Sequence, residues 1–264
     1  MKICISMDVE QDLHSGDYKS LEYGLPEFFK ILDKRGIKST LFVPAKLLEK
    51  FPEKFKQLEK RGHEIALHGL EHERFDDLAF SEKKRRIKEA VKIYKKVLKH
   101  PPSGFRAPQH SIDRSTLEIL AENGFHYDSS HTPFNLLQLL FFPKRIKHGL
   151  VGFFKPRSAY KLKEGIHEFP ISSSGISFVS LPLRIFPKII IKFYLSTLKA
   201  THKNLVFYCH SWDLIPLKDS KIDRTFPHTR FIDHLDYLVN NLTKKDYFIT
   251  LKDLTKELDK NEHT

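Results

Sequence analysis

Short apolar runs that end in a polar residue alternate along this chain with longer segments whose apolar residues recur every three or four positions. Ile3–Met7, Ser39–Val43, Glu64–Leu67, Gly104–Phe105, Phe125–Tyr127, His167–Phe169, Leu205–Cys209 and Phe248–Leu251 read as strands. Leu25–Lys34, Pro52–Arg61, Glu82–Lys99, Ser115–Asn123 and Phe231–Leu242 read as amphipathic helices. The clearest is Glu82–Lys99, with Ile87, Val91, Tyr94 and Leu98 at helical spacing. Strand–helix alternation predicts an α/β fold with parallel strands and right-handed crossovers. Seven or eight strands in 264 residues suit a (β/α) barrel better than an open sheet, and barrel sites gather at the C-terminal strand ends.

Two regions break the rhythm. His131–Leu150 carries Phe134–Phe142, and this predicts an apolar insertion around 131–165. Ile176–Leu195 is apolar but interrupted by Arg184, Lys188 and Lys192, which suits either a core helix or a basic, apolar surface on a membrane or a lipid-linked substrate. No linker or solenoid repeat divides the chain, so one domain over 1–264 is expected.

Charge adds a preference for anions without naming one. The 45 Lys and Arg against 33 Asp and Glu leave a formal net charge of +12, which attracts phosphates, acidic glycans or anionic lipid head groups. No nucleic-acid recognition motif accompanies the charge. The two cysteines, Cys4 and Cys209, lie in apolar runs and read as buried thiols. The early charge at Lys2 and Asp8 is unlike a secretory signal, and no run of about 18 uncharged apolar residues occurs. The expectation is a cytoplasmic protein, with peripheral membrane contact left open.

The chemistry sits where the strand-like runs stop. His68 ends one run, Gly69 lets the chain turn, and His72 comes back to the same side, so the two imidazoles can share a metal ion. Asp8 and Glu10 point together if the first strand continues, and two carboxylates at a strand end call for a cation, an arginine or a shared proton. Asp12 is a further acidic candidate. Arg106, fixed ahead of Pro108, can hold Asp8 in a bidentate pair. Asp128 ends another run, and His210 ends a further one beside Trp212 and Asp213. A carboxylate such as Asp128 can orient and charge His210.

These five stretches resemble the motifs of the polysaccharide deacetylase family, the NodB-homology group of carbohydrate esterase family 4. Asp8-Val9-Glu10 resembles the first motif, His68-Gly69-Leu70-Glu71-His72 the second and Phe105-Arg106-Ala107-Pro108 the third. Tyr127-Asp128-Ser129-Ser130 resembles the fourth, and Leu205–His210 with Ser211-Trp212-Asp213 the fifth. Glu168-Phe169-Pro170 is similar to an element of the subgroup with an Asp-Val-Glu start. The resemblance implies a distorted barrel of about seven strands. It also implies one divalent ion, usually zinc, with cobalt, manganese or nickel as alternatives.

By position, the resemblance makes Asp8 the catalytic base and Glu10, His68 and His72 the metal ligands. Arg106 would orient the base, His210 would be the acid and Asp128 the carboxylate that tunes it. Because Val9 separates Asp8 from Glu10, the base and ligand roles are exchangeable at this stage. The implied reaction removes an N-acetyl group from a sugar or glycan, free, nucleotide-linked or lipid-linked. A backbone N–H within Arg106–Gln109 would hold the oxyanion. A metal-dependent amidohydrolase acting on other amides or ureides is the rival. A non-catalytic module that binds glycan or anionic lipid is the third reading.

Overall fold

In the computed structural model the described residues are 1–13, 15–133, 156–217, 221–242 and 246–262. Most of the predicted insertion, residues 134–155, lies outside them. The strands are β1 (Lys2–Asp8), β2 (Thr40–Val43), β3 (Glu64–Leu67), β4 (Gly104–Phe105), β5 (Tyr127–Asp128), β6 (Tyr160–Lys161), β7 (His167–Glu168), β8 (Asn204–His210) and β9 (Tyr247–Phe248). The helices are α1 (Leu25–Asp33), α2 (Ala45–Lys50), α3 (Pro52–Lys60), α4 (Phe80–Leu98), α5 (Arg114–Glu122), α6 (Ser180–Ile185), α7 (Lys188–Thr201), α8 (Lys221–Thr225), α9 (His228–Asn241) and α10 (Leu251–Glu262).

The sheet runs β6-β7-β5-β4-β3-β2-β1-β8, with β9 on the first residues of β1. Every pairing is parallel except β6 with β7. The sheet curls: beyond β7 the chain reaches β8, where Ser172 N donates to Val206 O and Tyr208 N to Phe178 O. This is the expected mixed α/β barrel-like architecture. Two differences from the sequence reading are local. Leu251, placed by its apolar run in the last strand, instead opens α10, and β6 was not foreseen because two residues carry no periodicity.

Alternation along the strands sorts the core into two layers. Ile3, Ile5 and Met7 of β1, Leu41 of β2, Ile65 of β3 and Phe207 of β8 pack with the helices in the larger apolar cluster. Cys4, Phe42, Ala66, Tyr127, Phe169 and Val206 form the smaller cluster on the opposite, inner face. α10 packs at the other end of the barrel from the site. Leu251 and Leu254 join the inner cluster, while Leu251 N donates to Thr40 Oγ1 and Lys252 N to Glu64 Oε2. A Cβ at Gly104 would lie 1.9 Å from the Tyr127 ring, so only glycine lets that tyrosine fill the interior.

Candidate metal centre

The inner positions of the strands lead upward to the site. Ser6 and Asp8 follow Cys4 on β1, Tyr208 and His210 follow Val206 on β8, and His68 and Arg106 follow β3 and β4. All of them sit at the C-terminal strand ends, because the strands run parallel.

Arg106 is fully buried and braces this end. Its Nη1 donates to Asp8 Oδ1 at 2.8 Å, Nη2 to Ser6 Oγ and Ser129 Oγ at 3.0 Å each, and Nε to Ser129 O at 2.9 Å. Its guanidinium lies 4.0 Å from the Phe42 ring centre. Burial pushes Asp8 toward protonation, but the charges of His68, Arg106 and His210 outweigh it and hold the carboxyl below its ordinary value. Asp8 Oδ2 faces His68 Nε2 at 3.5 Å.

Glu10, His68 and His72 each offer a ligand atom, all within 4.8 Å of one another. His68 Nδ1 bonds to Arg106 O at 2.8 Å, which turns Nε2 inward. His72 does not return on a helical turn: the chain loops through Gly69 at φ +78 and His72 itself at φ 85. A left-handed histidine is strained, and the loop holds its ring centre 5.3 Å from that of His68. Glu10 Oε2 pairs with His72 Nε2, and Oε1 accepts from Trp212 Nε1 at 3.0 Å. Burial works against the Glu10 charge, yet the His72 hydrogen bond and the histidine charges bring its pKa to about 2. Burial likewise opposes protonation of His72, but Glu10 raises its pKa. Burial dominates at His68 and lowers its pKa.

This donor set fits a divalent ion: one carboxylate and two imidazoles converge, with His68 oriented by a carbonyl and Glu10 by an indole. Of the competing acids, Asp8 is committed to Arg106. Asp12 accepts from Lys19 N at 2.6 Å and Ser20 N at 3.1 Å, tying down the turn ahead of α1.

His210 stands across from Glu10, with Nε2 3.6 Å from Oε1. Its carboxylate partner is Asp213, not Asp128. Nδ1 lies 3.5 Å from Asp213 Oδ2, which also accepts the His210 backbone N–H at 2.9 Å. Strand alternation explains the correction. Asp128 is one residue off the inner face that Tyr127 and Ser129 occupy, and it pairs in register with Glu168 of β7. There it accepts from Ser130 N and Oγ, and Ser130 Oγ in turn accepts from Ala107 N at 2.8 Å. Asp128 therefore supports the Arg106 loop from outside. Burial would discharge His210, but the bond to Asp213 and the Glu10 and Asp213 charges raise its pKa. The His210 ring stacks on Trp212 at 4.1 Å and 16°, and Nε2 bonds Tyr208 OH at 2.5 Å.

Ser6, Ser129, Tyr208, Trp212 and Asp213 are thus site residues that the sequence reading gave no role, although Trp212 and Asp213 were visible beside His210. Ser6 and Tyr208 each lie two positions before a singled-out residue on the same strand face, a signal that was available. Within the stretch proposed for the oxyanion, the Arg106 and Ala107 N–H groups are already committed, to Leu67 O and Ser130 Oγ. A cleft of about 640 Å³ opens beside the cluster, lined among others by Glu10, Tyr18, Lys46, Lys50, His72 and Trp212.

Fold and site define a barrel-like α/β chain with a His–His–Glu cluster at its strand ends. Residues 17–127 match the polysaccharide deacetylase family model. The stretch includes His68, His72 and Arg106, while Asp8, Glu10 and His210 lie outside it. A peptidoglycan deacetylase-like protein of Gibberella zeae is 37% identical over 109 residues, 40% of this chain and 32% of that protein. The matched stretch spans 32% and 40% of the length of the two curated relatives it matches. Among solved structures, a Mycobacterium smegmatis protein described as a polysaccharide deacetylase superposes with a TM-score of 0.72 at 17% identity, over 99% of this chain and 91% of the other. Puue allantoinase superposes at 0.69 and 12% identity, over 100% and 91%.

Proposed function

We propose that this chain is a metal-dependent hydrolase that removes an N-acetyl group from an N-acetylated sugar or glycan and releases acetate. The observation that carries the reading is the convergence of Glu10, His68 and His72 between a braced carboxylate, Asp8, and an imidazole, His210, paired with Asp213. The family match over residues 17–127 and the deacetylase-like relative support the same class.

Glu10, His68 and His72 would hold the ion, with zinc suited to such a set and cobalt, manganese or nickel able to replace it. When bound, it polarises the acetyl carbonyl and acidifies the attacking water. Asp8 takes the proton of that water on Oδ2, while Arg106 keeps Oδ1 engaged and the carboxyl ionised. His210, kept charged by Asp213, gives a proton to the leaving nitrogen from Nε2 and releases Tyr208 OH as it does so. Tyr18 and Trp212 line the cleft and supply aromatic surface for a sugar.

The test is an acetate-release screen over N-acetylhexosamine derivatives, with chelation and metal add-back. The expected result is acetate release that chelation abolishes and metal restores. Ring opening of cyclic ureides without acetate release would replace this reading with the amidohydrolase one. Glycan binding with no bound metal and no turnover would favour a binding module.

A further inference from the structure

Among the described residues, seven large hydrophobic side chains are exposed, and three of them fall within five residues of α7: Ile189 at 70%, Ile190 at 44% and Phe193 at 74%. The opposite face of the same helix is buried through Ile191, Tyr194, Leu195 and Leu198. α7 is therefore apolar on both sides, whereas a helix that covers a sheet usually turns a polar face outward. No acidic residue occurs from Lys188 to Thr201, and the exposed Lys192 sits inside the apolar set.

Topology places these side chains at the rim of the site. α7 ends at Thr201, just ahead of the start of β8 at Asn204, and packs on β8, so it runs against the strand direction. Its first turns lie where the strands finish. α6 confirms the location, because Arg184 Nη2 donates to the carbonyl of Asp213, the partner of His210. Arg230 Nη2 reaches Ile185 O at 3.2 Å and adds a cation at the root of α7.

We propose that the first turns of α7 dock this rim onto an anionic lipid bilayer, presenting the cleft to a sugar carried at the membrane surface. Large apolar side chains interleaved with the exposed Lys192, with Lys188 paired to Asp233 of α9 at 2.7 Å, suit the boundary between acyl chains and acidic head groups. A protein partner would have to offer both an apolar and an acidic face. No helix among the described residues is long and apolar enough to cross a membrane, so the contact is one of surface docking. The sugar part of the proposal rests on the deacetylase reading; the docking part does not.

The experiment is co-sedimentation of the full chain with phosphatidylcholine vesicles, with and without phosphatidylglycerol. The chain should pellet with the anionic vesicles and stay in solution with the neutral ones. Ile189→Ser combined with Phe193→Ser should lower vesicle affinity at least about tenfold, and Lys192→Ala about fivefold at low salt. Both variants should keep the parent's melting temperature and its acetate release from a soluble sugar. Equal pelleting of parent and variants would overturn the proposal. So would parent self-association that the double variant abolishes, with no vesicle binding. Vesicle binding without acetate release from any sugar would sink the deacetylase reading and leave docking standing.

Discussion

Arg106 and His210 stand on opposite sides of the site and are held in different ways. Arg106 draws its partners from distant strands: Asp8 and Ser6 on β1, Ser129 just past β5, and the Phe42 ring of β2. His210 takes its partners almost entirely from its own neighbourhood, Tyr208, Trp212 and Asp213. The Asp8 side of the site therefore exists only when the barrel has curled. The His210 side is a local motif carried by one strand and the turn that follows it. Damage to the first should cost folding as well as rate; damage to the second should cost rate.

The largest effect is expected from Arg106→Leu. It leaves the Asp8 carboxylate buried without its main partner, and such losses cost about 3–5 kcal/mol. Denaturant melts would show it as a lowered midpoint, and a midpoint near the parent's would break the contrast. Asp8→Asn comes next, with kcat reduced about 10²- to 10⁴-fold in acetate-release assays while metal binding persists. Asp213→Asn should lower kcat roughly 10- to 100-fold, as loss of an orienting carboxylate does, with little change in the melting midpoint. Asp128→Asn should cost less rate than Asp213→Asn; the reverse order would restore Asp128 as the partner of His210.

The smallest effect is expected far from either side, at Asp113. This residue caps α5 by accepting from Thr116 N at 2.9 Å and pairs with Lys83. Burial opposes its charge, but Lys83 and Thr116 outweigh that and bring its pKa to about 2. A depressed carboxyl contributes stability that is present above its ordinary range and is lost as pH falls through about 2. Asp113→Ala removes a helix cap worth about 1 kcal/mol and also strands the buried Lys83 ammonium, so it should lower the melting midpoint at neutral pH, flatten that acidic loss and leave kcat unchanged.

Strand periodicity explains which parts of this arrangement were legible in the sequence. Apolar runs ending in Asp8, His68 and His210 marked true strand ends, and Glu82–Lys99 marked α4 within a few residues. The Arg106–Asp8 pairing was legible at the strand ends, but as a bidentate pair; the structure gives one bond, from Nη1 to Oδ1, because Nη2 is taken by the Ser6 and Ser129 hydroxyls. Asp128 was misplaced because it follows an apolar run, although alternation from Tyr127 puts it on the outer face. The apolar stretch Ile176–Leu195 suited either a core helix or a basic, apolar surface, and α7 has both characters: Ile191, Tyr194, Leu195 and Leu198 are buried while Ile189, Ile190 and Phe193 are exposed. The choice among Asp8, Glu10 and Asp12 depended on contacts with Arg106, His72 and Lys19, which no spacing rule encodes.

The central claim is that Glu10, His68 and His72 together hold one catalytic ion. Calorimetric titration of chelator-treated protein with zinc tests it most directly. The predicted result is one ion bound per chain, with binding lost in His68→Ala and in His72→Ala and retained in Asp8→Asn. Zinc binding by the parent that survives both histidine substitutions, or no binding by the parent at all, would contradict it.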